Sequence, residues 1–159
     1  MSANAKILTL KSEIIKGTNV LDRISEFYEQ YIDATFDPGA RRIDQAIVIA
    51  DLICSYYTCL ETIFFRISQF FENDLSKEKW HQDLLEKMTL NIEGVRTAVI
   101  SGSTHQMLLE LLKFRHFKRY YFELNYDWDK LEFIQKKFVQ AVENVKRDLS
   151  AFLKFIDQL

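Results

Sequence analysis

The sequence predicts an all-α fold, an up-and-down helical bundle of four main helices with an N-terminal helix and short connecting helices. Three observations carry that expectation. The chain has one Pro and four Gly in 159 residues, too little turn chemistry for an all-β domain. Apolar residues recur at three- and four-residue intervals over long runs, the period of a helix face. Hydrophobic residues make up 48 % of the chain and aromatics 14 %, enough to fill a core and inconsistent with disorder. The length suits one domain spanning residues 1–159.

The elements follow in order. Residues 4–36 read as one or two helices. Ile7, Leu8, Leu10, Ile14 and Ile15 form a first stripe, Gly17-Thr18-Asn19 offers a kink, and Leu21, Ile24, Phe27, Tyr28, Tyr31 and Ile32 continue the spacing. Asp37-Pro38-Gly39 is the clearest turn. From Ile43 to Phe71 the rhythm holds for eight turns, a helix of roughly 45 Å at 1.5 Å per residue. Ile49, Tyr56, Ile63 and Phe70 add a second apolar stripe, so this helix is either central or shared with a partner. Ser76 is placed to cap a shorter helix running to about Leu90. Val95, Ala98 and Val99 suggest a turn or two of helix within residues 91–102.

Ser103-Thr104-His105-Gln106 matches a capping box, with Ser103 as N-cap, and the helix it starts is expected to end near Glu123. Asp127 is placed to cap the last helix, with Asp129 in its first turn and a Tyr126–Leu131 staple. Leu131, Ile134, Phe138, Ala141, Val142, Val145, Leu149, Phe152 and Ile156 carry that helix to the C-terminal end.

Composition narrows the function. A formal charge of −2 gives no overall attraction to nucleic acid, so such binding needs a local patch. Cys54 and Cys59 stand on different faces of one helical pattern, without a histidine at metal-ligand spacing, so neither a mutual disulfide nor a metal site is expected. Met1 to Leu10 holds no long apolar run and no stretch nears 18 uninterrupted apolar residues, which leads to the expectation of a cytoplasmic protein without a membrane partner. The aromatic surplus suggests an extra buried face, as at a dimer interface.

The local patch lies between Lys113 and Lys130. Lys113, Arg115, His116, Lys118 and Arg119 crowd into seven residues, Tyr120 to Phe122 follow, and the charge then turns acidic at Glu123, Asp127 and Asp129. Arg115 and Arg119 are four apart, so on a continuous helix both project from one side, with Lys118 beside them. A guanidinium pair can hold a phosphate, and adjoining rings such as Tyr121 suit single-stranded RNA. The plainer reading is a solvated basic face answered by Glu110, Glu123 or the acidic turn. Asp127 and Asp129 are expected to serve the helix start rather than a metal. His81 and His105 stand apart on other elements, as surface or capping-region histidines.

The stretch from Phe114 to Leu131, Phe-Arg-His-Phe-Lys-Arg-Tyr-Tyr-Phe-Glu-Leu-Asn-Tyr-Asp-Trp-Asp-Lys-Leu, resembles the signature region of HEPN-domain proteins of the HepT-like kind. The resemblance extends to Tyr56-Tyr57-Thr58-Cys59-Leu60-Glu61 and Trp80-His81-Gln82-Asp83-Leu84-Leu85, and covers the chain from about Ile43 onward. It implies a HEPN-like bundle forming a homodimer, a metal-independent endoribonuclease without a cofactor, acting on RNA such as tRNA. It also implies a toxin–antitoxin module with a minimal nucleotidyltransferase of the MNT type as antitoxin.

The family motif is Arg, four to six residues, then His. Five residues along a helix turn about 140° net, so Arg and His converge poorly within one chain and a second protomer supplies the partner group. Arg115 matches the arginine, but Tyr120, Tyr121 and Phe122 occupy the places open to the histidine. A phenol is almost wholly protonated at neutral pH, and losing acid–base help costs roughly 10²- to 10⁴-fold. Aligned on Tyr120, the tyrosine that the family's partner enzyme modifies with AMP falls at Phe122, which has no hydroxyl. His116 is the remaining candidate base on this helix. Two expectations result: a HepT-like ribonuclease toxin weakened or inactive at its base, or a catalytically dead HEPN dimer that binds RNA or protein.

Overall fold

In the computed structural model, residues 1–35, 37, 39–73 and 80–159 are described. Five α-helices follow in order: α1 Ala3–Thr35, α2 Ile43–Phe71, α3 Trp80–Lys87, α4 Gly102–Lys118 and α5 Trp128–Ile156, with a single 3₁₀ turn at Tyr121–Glu123. Among the described residues the only other pairing is an isolated bridge between Ile92 and Arg96. The protein is an all-α helical bundle. The helix start expected at Ser76 lies outside the described residues, as does Pro38 of the first turn. Beside Pro38, the Ala40 amide donates to the Asp37 carbonyl at 3.0 Å.

Helix α2 is central: it contacts α1, α3, α4 and α5. Both of its stripes are therefore used inside the chain. Ile53, Tyr57, Leu60, Phe64 and Ile67 are buried, and so are Ile49, Tyr56 and Ile63 of the second stripe. A helix surrounded in this way must be apolar nearly all round. The same property makes α2 long and apolar enough, by composition, to cross a membrane, although 56 % of that stretch is buried within the bundle. Aromatic side chains join the elements here. Phe138 of α5 meets the Tyr28 ring of α1 at 4.8 Å and the Tyr56 ring of α2 at 5.1 Å, both edge to face.

Four local expectations are corrected. Gly17 does not divide the N-terminal segment into two helices, because α1 runs unbroken from Ala3 to Thr35. Residues 91–101 hold no helix; they form a loop wrapped around the buried Arg96. Its guanidinium donates to the carbonyls of Lys87, Leu90 and Thr97 and pairs with Glu72. Gly94 turns this loop at φ 75°, a conformation that suits glycine. The N-cap of α4 is Ser101, not Ser103: its Oγ accepts from the Thr104 amide at 3.2 Å. Asp148 of α5 fixes that start by accepting from the Ser101 amide at 3.0 Å and the Thr104 hydroxyl at 2.6 Å. Finally, α4 stops at Lys118 rather than Glu123, and Leu124 turns the chain at φ 60°. Asp127 caps α5 as expected, accepting from the Lys130 amide at 3.2 Å.

Candidate functional site

Helix α4 turns Leu108, Leu111 and Phe114 into the core. That fixes Arg115, one residue beyond Phe114, at the seam with α2. Its guanidinium meets the Glu61 carboxylate in a two-pronged contact, Nη1 to Oε1 and Nη2 to Oε2, both 3.1 Å. Nη1 also donates to the Thr58 hydroxyl at 3.1 Å. The Arg115 carbon Cζ lies 4.9 Å from the centre of the Tyr57 ring, within cation–π range. Thr58 and Glu61 both belong to α2, so one side chain ties the motif helix to the central helix. Glu61 is 6 % exposed, and a carboxylate so enclosed requires this kind of partner. Burial raises the Tyr57 hydroxyl well above its usual range; the nearby Glu61 adds to the rise and Arg115 opposes it.

His81 of α3 completes the cluster. Its Nδ1 lies 2.8 Å from Glu61 Oε2 and 3.2 Å from Arg115 Nη2. A ring nitrogen that close to a carboxylate oxygen must carry the proton, because two acceptors would repel one another. Nδ1–H therefore donates to Glu61, and Arg115 neighbours the ring through the carboxylate they share. The imidazole lies against Trp80, with ring centres 3.7 Å apart. His81 is thus not isolated: α2, α3 and α4 each contribute one member of a Glu61–His81–Arg115 triad. Sequence spacing concealed it, since the partners stand 20 and 34 residues away. One signal was present, namely a glutamate inside the apolar pattern of α2, which demands a cation from elsewhere in the chain.

The other motif residues form a second, exposed group. Arg119 Nη2 donates to His116 Nε2 at 3.1 Å and to the Tyr120 hydroxyl at 3.0 Å. That bond occupies the His116 lone pair which a general base would use. Arg119 and Arg115 do not converge on one point, because Arg119 is drawn to its own helix end and Arg115 to Glu61. Lys118 turns away to Asp51 of α2 at 3.1 Å. The Tyr121 ring lies tilted against Tyr126, with centres 4.7 Å apart; burial, with Asp127 nearby, raises its hydroxyl. Lys113 is met by Glu110 at 3.7 Å, one of the partners of the basic face named from the sequence; Glu61 and Asp51 were not foreseen.

Two grooves flank this ridge. One, of about 590 Å³, is lined by His81, Lys113, Arg115, His116, Phe117 and Arg119. Leu109 and Leu112 give it an apolar side. The other, of about 710 Å³, runs past Asp51, Cys54 and Thr58 to Arg115, Lys118 and Arg119. Arg115 and Arg119 border both. Cys54 is no nucleophile there, since burial pushes its thiol up to about 11 against the pull of Lys118 and Arg115. Among the described residues no group of histidine, cysteine and carboxylate side chains could hold a metal ion.

No curated protein and no solved structure matches the chain. The family profile of the HepT-like proteins does match, over residues 48–156, from early in α2 to the last residue of α5. That span takes in the central helix, the Glu61–His81–Arg115 triad and the whole motif region. The chain belongs to the HepT-like family.

Proposed function

We propose that this protein is the HepT-like component of a HEPN/nucleotidyltransferase toxin–antitoxin module, an RNA-binding homodimer whose ribonuclease activity is weak. The observation that supports this is the 590 Å³ groove, which puts Lys113, Arg115 and Arg119 around an apolar side formed by Leu109, Leu112 and Phe117. Cations with an adjoining ring suit a flexible single strand: phosphates take the charges and a base takes the apolar wall. Weak cleavage follows from Tyr120, which stands where the family motif expects histidine and whose hydroxyl is engaged by Arg119. Binding depends on charge and survives the loss of a base; cleavage does not. The resemblance adds a nucleotidyltransferase as antitoxin.

The test is equilibrium binding of a labelled single-stranded RNA at rising salt. Affinity is expected to fall with salt, with a slope near −0.7 for each phosphate contact. Arg119→Ala should weaken binding and flatten the slope by about that much. Salt-independent binding, or none, would overturn the reading. Tyr120→His should raise cleavage of the same RNA.

A further inference from the structure

We propose that His81, held by Glu61, is the general base of this protein, in place of the histidine that the motif region lacks. The inference rests on the groove being an RNA site, and it comes from the side chains that meet there. Glu61 accepts the Nδ1 proton of His81 at 2.8 Å, which leaves Nε2 on the far side of the ring as a free acceptor. The imidazole lines the same groove as Arg115 and Arg119. Trp80 lies against the ring at 3.7 Å and restrains it from turning. A carboxylate on one ring nitrogen fixes the tautomer and orientation that make the other nitrogen a base.

His116, the other imidazole in this groove, has the opposite arrangement, because Arg119 already occupies its Nε2. Arg115 stands 3.2 Å from the His81 ring, so a positive charge is available beside the base. Its own partner Glu61 keeps it in place until a phosphate arrives.

In the reaction, His81 Nε2 takes the proton of a ribose 2′-hydroxyl. The 2′ oxygen forms its bond to the adjacent phosphorus as the bond from phosphorus to the 5′ oxygen breaks. Arg115, beside the base, faces the charge that grows on the non-bridging oxygens. The departing 5′ oxygen takes a proton from water, and the imidazolium gives its own to the hydroxide left behind. The products are a 2′,3′-cyclic phosphate and a 5′-hydroxyl, with no change of oxidation state. His81 is the catalytic residue and Glu61 a positioning residue.

The experiment measures binding and single-turnover cleavage of one single-stranded RNA by the full chain and by His81→Ala, Glu61→Gln and His105→Ala. The unaltered chain is expected to cleave slowly and His105→Ala to match it. His81→Ala should bind RNA as well as the unaltered chain while cleaving about 10²- to 10⁴-fold more slowly, and added imidazole should restore part of the rate. Glu61→Gln should lose about 10-fold. Cleavage by His81→Ala at the unaltered rate would overturn the proposal. A loss accompanied by a lowered melting temperature and no imidazole rescue would also overturn it, making His81 a structural tie. If the unaltered chain binds RNA without cleaving it, this inference falls and the RNA-binding reading stands. If it binds no RNA, both fall.

Discussion

Arg96 shows how a single buried charge can organise a segment that has no helix of its own. Its side chain is wholly enclosed, with Glu72 and three carbonyls around it. Arg96→Met would fill much of the space but leave the carbonyls and the carboxylate without their donor. Breaking a buried pair from one side costs about 3–5 kcal/mol, and urea unfolding of the variant should show a loss of that size. At Cys54 the prediction concerns reactivity. A thiol raised to about 11 is thiolate in only about one molecule in a thousand at pH 8. In the folded protein an alkylating reagent should therefore modify Cys54 far more slowly than it does in urea; equal rates would contradict the burial. Cys54 falls in the apolar rhythm of α2, so its burial was legible in the sequence; the role of Arg96 was not. Val95, Ala98 and Val99 keep a helix-like spacing, so periodicity read a turn of helix where Arg96 holds a loop. His81 was misjudged for the same physical reason, because partners 20 and 34 residues away leave no mark on local spacing.

At the scale of elements, the long helices were legible because their faces are long. The eight-turn rhythm of α2 spans the observed Ile43–Phe71, and the α5 stripe from Leu131 ends at the observed last residue, Ile156. Ends and crossings were less so. Gly17 looked like a kink, yet its role is to let two helices approach. A Cβ there would lie 2.6 Å from Cγ1 and 2.7 Å from Cδ1 of Ile63, and Ile63 is buried with little room to move. Gly17→Ala therefore sets a helix-propensity gain of about 1 kcal/mol against an overpacking cost of about 1–3 kcal/mol. The clash should prevail and lower stability by up to about 2 kcal/mol. In an Ile63→Ala background the obstacle is gone, and Gly17→Ala should become neutral or stabilising. Additive effects in that double-mutant cycle would show that Gly17 is not a contact point. The start of α4 misled in a similar way. Ser101 and Ser103 both offer a hydroxyl, and the choice is made by Asp148 on a distant helix.

At the scale of the whole molecule, the structure changes the argument for a two-fold dimer without removing it. Ile49, Tyr56 and Ile63 of the second stripe of α2 are covered by the chain's own helices while Phe70 stays exposed, and the rings of Tyr28, Phe138 and Tyr56, like those of Phe71 and Phe152, pack on one another. The bundle therefore absorbs much of the aromatic surplus. Among the large apolar and aromatic side chains it leaves outside, three stand where α4 ends: Phe117 is 46 % exposed, Tyr120 57 % and Leu124 47 %, all within ten residues of Arg115. Three large apolar or aromatic side chains so close together are a natural centre for an interface with a second copy, and a two-fold axis there would bring the two Arg115 grooves side by side. Sedimentation at micromolar concentration should then show a dimer. Phe117→Glu combined with Leu124→Glu should shift it to monomer, because each copy would place new charges against their counterparts across the axis. The helical circular dichroism signal should stay unchanged, since neither side chain belongs to the core. A monomer in the unaltered chain would remove the dimer. A dimer indifferent to both substitutions would keep the dimer and move its interface away from the motif helix.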